Sequence, residues 1–214
     1  PAVVLESRAW FNENLESRHF YVPGVIALIV LLVTLMLSSM AVVREKEIGT
    51  IEQIMVTPIR QVEFILGKTI PFALIAYLDV LLITGIAVFW FDVPIRGSLP
   101  LLFVATTLFL MSTIGIGLLI STVSRTQQQA MMSAFFFYFP AVLLSGFMFP
   151  IANMPTVVQW LTFANPLRYF LVIIRGIFLK GVGLPVLWEQ MAALAVLGVA
   201  MLGLASLKFK KTLA

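Results

Sequence analysis

The sequence predicts an all-α, polytopic membrane protein, and three observations carry that fold class. Hydrophobic residues fill 61% of the 214 positions and charged residues only 11%, whereas a soluble domain carries about a quarter charged residues. Mean hydropathy is +1.05. The few charges bracket five apolar stretches, each about long enough for a helix to cross a hydrocarbon core roughly 30 Å thick. Cysteine is absent, which removes a disulfide framework, a thiol nucleophile and a Cys-ligated metal site. The net charge of +4 does not point to nucleic acid, because the basic residues are scattered between apolar runs rather than gathered on one face.

Taken in order, residues 1–21 form an aqueous lead-in containing Glu6, Arg8, Glu13, Glu16 and Arg18, with no signal-peptide core. The first span covers residues 22–43, which are free of charge. A charged loop, 44–68, separates it from a second span, 69–91, whose only charge is Asp79. After a short turn comes a third span, 99–123, then a fourth, 128–149, closed by Pro150. Residues 155–180 break the pattern. Pro155 starts one short helix, and Asn165 followed by Pro166, an N-cap with proline at the first helical position, starts another. That second helix carries Arg168 and Arg175 and is too short and too charged to span, so the pair reads as a re-entrant outer hairpin. The last span, 188–207, leads into a tail, 208–214, with Lys208, Lys210 and Lys211.

With the 44–68 loop inside, the cytoplasmic face collects Arg44, Lys46, Arg60, Lys68, Arg125 and the three tail lysines, against Arg8, Arg18 and Arg96 in the simple outer loops. That bias follows the positive-inside rule. An odd number of spans puts the N-terminus outside and implies a further span upstream.

Within the 44–68 loop, Ile48, Ile51, Ile54 and Met55 recur at helical spacing opposite Glu47, Thr50 and Gln53, and Thr57 with Pro58 ends the run. Such an amphipathic helix either rests on lipid or docks a cytoplasmic partner. Its mixed charges, Glu45, Glu47, Glu52 and Glu63 among Arg44, Lys46, Arg60 and Lys68, argue against a purely anionic-lipid anchor, which is mostly basic.

Four stretches together carry a family resemblance: REKEIGTIEQIMVTP after the first long span, SRTQQQA at 124–130, LLSGFMFPIANMP at 143–155 and NPLRYFLVIIRGIFLKG at 165–181. In that order they resemble the ABC-type-2 exporter permeases, in particular the bacterial drug-efflux group. The resemblance implies a six-span permease fold, of which this chain lacks the first span. It implies a bacterial inner-membrane subunit that pairs with a second permease and with a separate ABC ATPase holding ATP and Mg, this chain itself carrying no cofactor. It also implies that the 44–68 loop is the ATPase-coupling element, with Glu45, Glu47, Gly49, Thr50, Glu52, Gln53 and Pro58 as contact residues, and that 155–180 are the outer re-entrant helices. The substrate would be drug-like, lipid-like or otherwise amphipathic, moved outward by alternating access.

Other residues admit two readings each. Asp79 inside a span is costly, by roughly 2.5–3.5 kcal/mol on insertion scales. It is either a structural hydrogen-bonding group or part of a substrate path or proton relay; the alternative to an exporter is a secondary transporter or channel that uses Asp79. Phe135, Phe136, Phe139 and Phe147 either pack the bundle or line an apolar substrate route, and Gly115, Gly117 and Gly146 permit close helix approach. His19, the only histidine, has no cysteine or acidic cluster beside it to make a metal site. Gly67, Lys68 and Thr69 imitate the end of a phosphate-binding loop, but the leading glycine it requires is replaced by Val62. No HExxH or GxSxG motif points to a membrane-embedded enzyme.

Overall fold

A computed structural model describes residues 17–50 and 61–212, and among the described residues all regular structure is helical. The elements are α1 (Ser17–Ser39), α2 (Val43–Ile48), α3 (Gln61–Phe89), α4 (Leu99–Val123), α5 (Gln127–Leu143), a 3-10 turn (Ile151–Asn153), α6 (Thr156–Thr162), α7 (Pro166–Arg175) running into a π turn (Gly176–Lys180), and α8 (Leu184–Thr212). Four stretches are long and apolar enough to cross a membrane, Phe20–Ile48, Glu63–Phe89, Leu99–Val123 and Leu184–Lys208. The α6–α7 pair, bent by 78°, makes a fifth if it is counted as one broken span. The chain is therefore a multi-pass, all-α membrane protein.

Several boundaries differ from the sequence reading, beginning with α1, which starts at Ser17 inside the expected lead-in, and α3, which starts at Gln61 inside the expected 44–68 loop. The fourth span was expected over 128–149, yet α5 stops at Leu143 after 17 residues, a rise of about 26 Å. Its end is written in Ser145 and Gly146. Ser145 Oγ donates to the Val142 carbonyl at 2.6 Å and accepts from Phe147 N, and Gly146 takes φ 82°, a left-handed conformation that turns the chain out of the helix. The amphipathic helix expected to run past Ile48 is also interrupted. Gly49 caps α2 at φ 83°, its N–H bonded to the Glu45 carbonyl, so α2 ends at Ile48; the expected continuation over Ile51, Ile54 and Met55 lies outside the described residues. Finally, α8 begins at Leu184 and continues to Thr212, making most of the expected tail helical.

Helix α4 lies at the centre, packed along α8 on one side and α1 on another. Small residues let it approach so closely. A Cβ on Gly115 would sit 2.8 Å from the Leu202 backbone nitrogen, one on Gly198 would sit 3.0 Å from Met111 Cβ, and Ser112 Oγ donates to the Leu194 carbonyl at 3.3 Å. On the α1 side a Cβ on Gly117 would collide with Ser38 Oγ. Without a hydrophobic force between helices in lipid, such close backbone packing is the main source of association. Helix α7 turns Leu167, Phe170, Leu171 and Ile174 inward at helical spacing, and Phe170 stacks on Phe109 of α4 with ring centroids 4.2 Å apart. On α3, Leu74, Leu78 and Leu82 form an outward apolar stripe, a surface suited to lipid or to a partner helix.

The bundle thus has two distinct ends. One gathers α2, the starts of α3 and α5 and the end of α4; the other gathers the α6–α7 hairpin, the loop after α3 and the starts of α1 and α8. At the hairpin end Arg96 N donates to the Phe178 carbonyl at 3.2 Å.

Candidate functional site

The α2 end is built from unsatisfied helix termini. A helix leaves its first N–H groups and its last carbonyls without internal partners. Val42 N and Val43 N, at the start of α2, both donate to Ser121 Oγ at 2.9 Å. Lys46 Nζ donates to the Thr122 carbonyl at 2.5 Å, capping the end of α4. Glu47 Oε2 accepts from Gln127 N at 2.9 Å, placing a carboxylate on the positive end of α5, which the helix dipole favours. Glu45 pairs with Lys68 of α3 and also accepts from Thr50 Oγ1.

Successive residues of a helix point about 100° apart, so Glu45, Lys46 and Glu47 radiate to three different helices, α3, α4 and α5. A six-residue element is thereby tied to half the bundle. The opposite face carries Arg44 and Ile48, four residues apart and therefore neighbours on one side. Both are exposed, and Ile48 is 60% accessible. Of the residues expected to contact an ATPase, Glu45, Glu47, Gly49 and Thr50 sit in this cluster, while Glu52, Gln53 and Pro58 lie outside the described residues.

A second feature is an apolar cavity of about 530 Å³ between α5 and the hairpin, lined by Ile120, Ser133, Phe136, Phe137, Pro140, Ala141, Leu144, Leu161, Ala164 and Asn165. Asn165 joins this lining to two helix ends. Its Oδ1 accepts from Leu167 N at 3.1 Å, capping α7 ahead of Pro166, and its Nδ2 donates to the Ala141 carbonyl at 2.7 Å, a group left free where α5 ends. Of the four candidate phenylalanines only Phe136 lines the cavity. Phe135 and Phe139, exposed like Phe136, are not in its lining, and Phe147 packs instead against Tyr21 of α1, with centroids 5.9 Å apart.

Asp79 stands apart from that group, since no α3 side chain among the described residues lines the cavity. Its Oδ2 is buried without a hydrogen-bond partner among the described residues. Gly67, Lys68 and Thr69 lie inside α3, where no loop of free N–H groups can cradle a phosphate. Among the described residues no cluster of acidic or imidazole groups could hold a metal ion. The hairpin arginines face aromatic rings, Arg168 over Phe163 at 4.2 Å and Arg175 over Phe20 at 3.9 Å.

Sequence reasoning missed Ser121, Thr122 and Gln127 as partners of α2. The available signal was the polar STVSRTQ run at the end of an apolar span, which marks a helix end rich in side chains able to bond a neighbouring backbone.

Comparison with known proteins bears on the whole chain. Residues 2–179 match the family described as ABC-2 type transporter. The probable multidrug ABC transporter permease YbhS of Escherichia coli K12 is 40% identical over 217 residues, covering all of this chain and 57% of the relative. YbhR of the same organism, also a probable multidrug ABC transporter permease, is 37% identical over 89% of this chain and 52% of its own length. ABC transporter G family member 20 of Dictyostelium discoideum is 27% identical over 86% of this chain and 25% of its own length. The chain spans about half the length of the bacterial relatives it matches. With a family match running through 178 of its 214 residues, 2 to 179, the chain belongs to the ABC-2 type transporter family.

Proposed function

We propose that this chain is the membrane-spanning part of a permease in an ATP-driven exporter. In this reading α2 faces the cytoplasm and receives the motion of a separate ABC ATPase that holds ATP and Mg. A second permease subunit, identical or related, completes the transport unit in the bacterial inner membrane, and the cargo is drug-like, lipid-like or otherwise amphipathic. The relatives named as multidrug permeases and the apolar cavity beside Phe136 support that cargo class.

The observation that carries the reading is the radiating set Glu45, Lys46 and Glu47. A push on the exposed Arg44 and Ile48 face is delivered at once to α3, α4 and α5. Glu45, Glu47 and Thr50 then act as transmitters within the subunit, and the ATPase contact falls on Arg44, Ile48 and Gly49 together with Glu52, Gln53 and Pro58.

The unpartnered Oδ2 of Asp79 favours a second reading, gradient-driven flux through a proton or ion path along α3. Reconstitution of the full-length permease with its ATPase separates the two. The exporter reading expects substrate flux that requires ATP hydrolysis and survives Asp79→Asn. Flux without nucleotide, abolished by Asp79→Asn, would overturn it.

A further inference from the structure

The two hairpin arginines differ in how their donors are used. Arg168 donates to Thr162 Oγ1 and lies over Phe163. Arg175 has its guanidinium 3.9 Å from the Phe20 centroid and 5.7 Å from that of Phe147, yet its Nε and Nη2 are buried and, among the described residues, meet no acceptor. Ring faces attract the charge but supply no lone pair in the guanidinium plane, so these two donors bear an unrelieved desolvation cost. Nε–H and the neighbouring Nη2–H form the edge of the fork that grips a carboxylate or phosphate with two parallel bonds. Gly24 of α1 lies beside that edge, where a Cβ would stand 3.3 Å from Nη2 and against the Phe147 ring. Of the two rings, Phe20 reaches the rim of the bundle, being 42% exposed.

We propose that the Nε and Nη2 edge of Arg175 binds the oxyanion of an amphiphile headgroup, a phosphate in the first instance, admitted at the hairpin end when the Phe20 ring swings aside. The rings around it suit the apolar part of such a ligand, and the two charge-assisted hydrogen bonds exceed the cation–π contact they displace. The site does not depend on the coupling reading, since it lies at the other end of the bundle and uses none of its residues.

Native mass spectrometry of the full-length permease in neutral detergent tests this, with dioctanoyl phosphatidylglycerol, dioctanoylglycerol and inorganic phosphate as probes. Phosphatidylglycerol is expected to bind, to lose about tenfold or more in affinity in Arg175→Gln, and to lose less in Arg175→Lys, which keeps the charge without the fork. Dioctanoylglycerol binding is expected to be the same in all three proteins. Competition by inorganic phosphate identifies a site that reads the oxyanion alone, and its failure one that also needs the tail. Phosphatidylglycerol binding of equal strength in wild type and Arg175→Gln, or none in wild type, overturns the proposal. Should Arg175→Gln not fold, Phe20→Ala decides: uncovering the edge tightens phosphatidylglycerol binding several-fold, and unchanged or weaker binding overturns the site.

Discussion

At the α2 end, Glu45, Lys46 and Glu47 each make a directed polar bond to a different helix; at the hairpin end, Arg175 rests between the rings of Phe20 and Phe147 with two N–H groups unused. Directed bonds fix both distance and angle and weaken steeply when bent, so a displacement of α2 is passed on to α3, α4 and α5. A cation over a ring face has no such angular demand and tolerates sliding. On the proposed exporter function, the first arrangement suits the end that receives force. The second suits the end that must part.

Substitutions at the two ends separate these behaviours. The largest effect is expected from Ser121→Val, which strands the buried Val42 and Val43 N–H groups. Two orphaned donors amount to about 3 kcal/mol, read as a lowered unfolding midpoint of the full-length protein in detergent and as ATP hydrolysis uncoupled from transport. Asn165→Ala removes the α7 cap and the tie to the Ala141 carbonyl, for about 2 kcal/mol, and should loosen the hairpin without uncoupling hydrolysis. Phe20→Leu removes one ring from Arg175, for about 1 kcal/mol in the same thermal assay. The smallest stability effect belongs to the part-exposed Glu45–Lys68 pair, about 0.5 kcal/mol in a double-mutant cycle. That pair nonetheless bears on function: Glu45→Gln should lower transport per ATP hydrolysed several-fold, whereas Phe20→Leu should leave that ratio unchanged. Equal ratios in the two variants would erase the distinction between the ends.

Much of the fold was legible because lipid imposes a simple grammar. Charge-free runs mark spans, and the start of α7 is written in Asn165 with Pro166. Boundaries failed where a local conformation overrode an apolar pattern. Gly49 at φ 83° ends α2 although isoleucines continue at helical spacing, and Gly146 at φ 82° ends α5 although the following residues remain apolar. The α2 cluster was half legible. Glu45 and Glu47 stand out as charges beside a span, but which neighbours they reach depends on three helices distant in sequence, and Ser121 and Gln127 act through single atoms that no periodicity marks. Arg175 was visible as a charge on a short helix, whereas the unused edge of its guanidinium is visible only in three dimensions.

Photo-crosslinking asks whether the exposed Arg44 and Ile48 face of α2 meets the ATPase. A photoreactive residue at position 48, in full-length permease co-expressed with its ATPase and active in transport, is expected to yield a permease–ATPase adduct. The same residue at position 90, where Trp90 is 80% exposed at the opposite end, should yield none. An adduct at 90 with none at 48 would contradict the account.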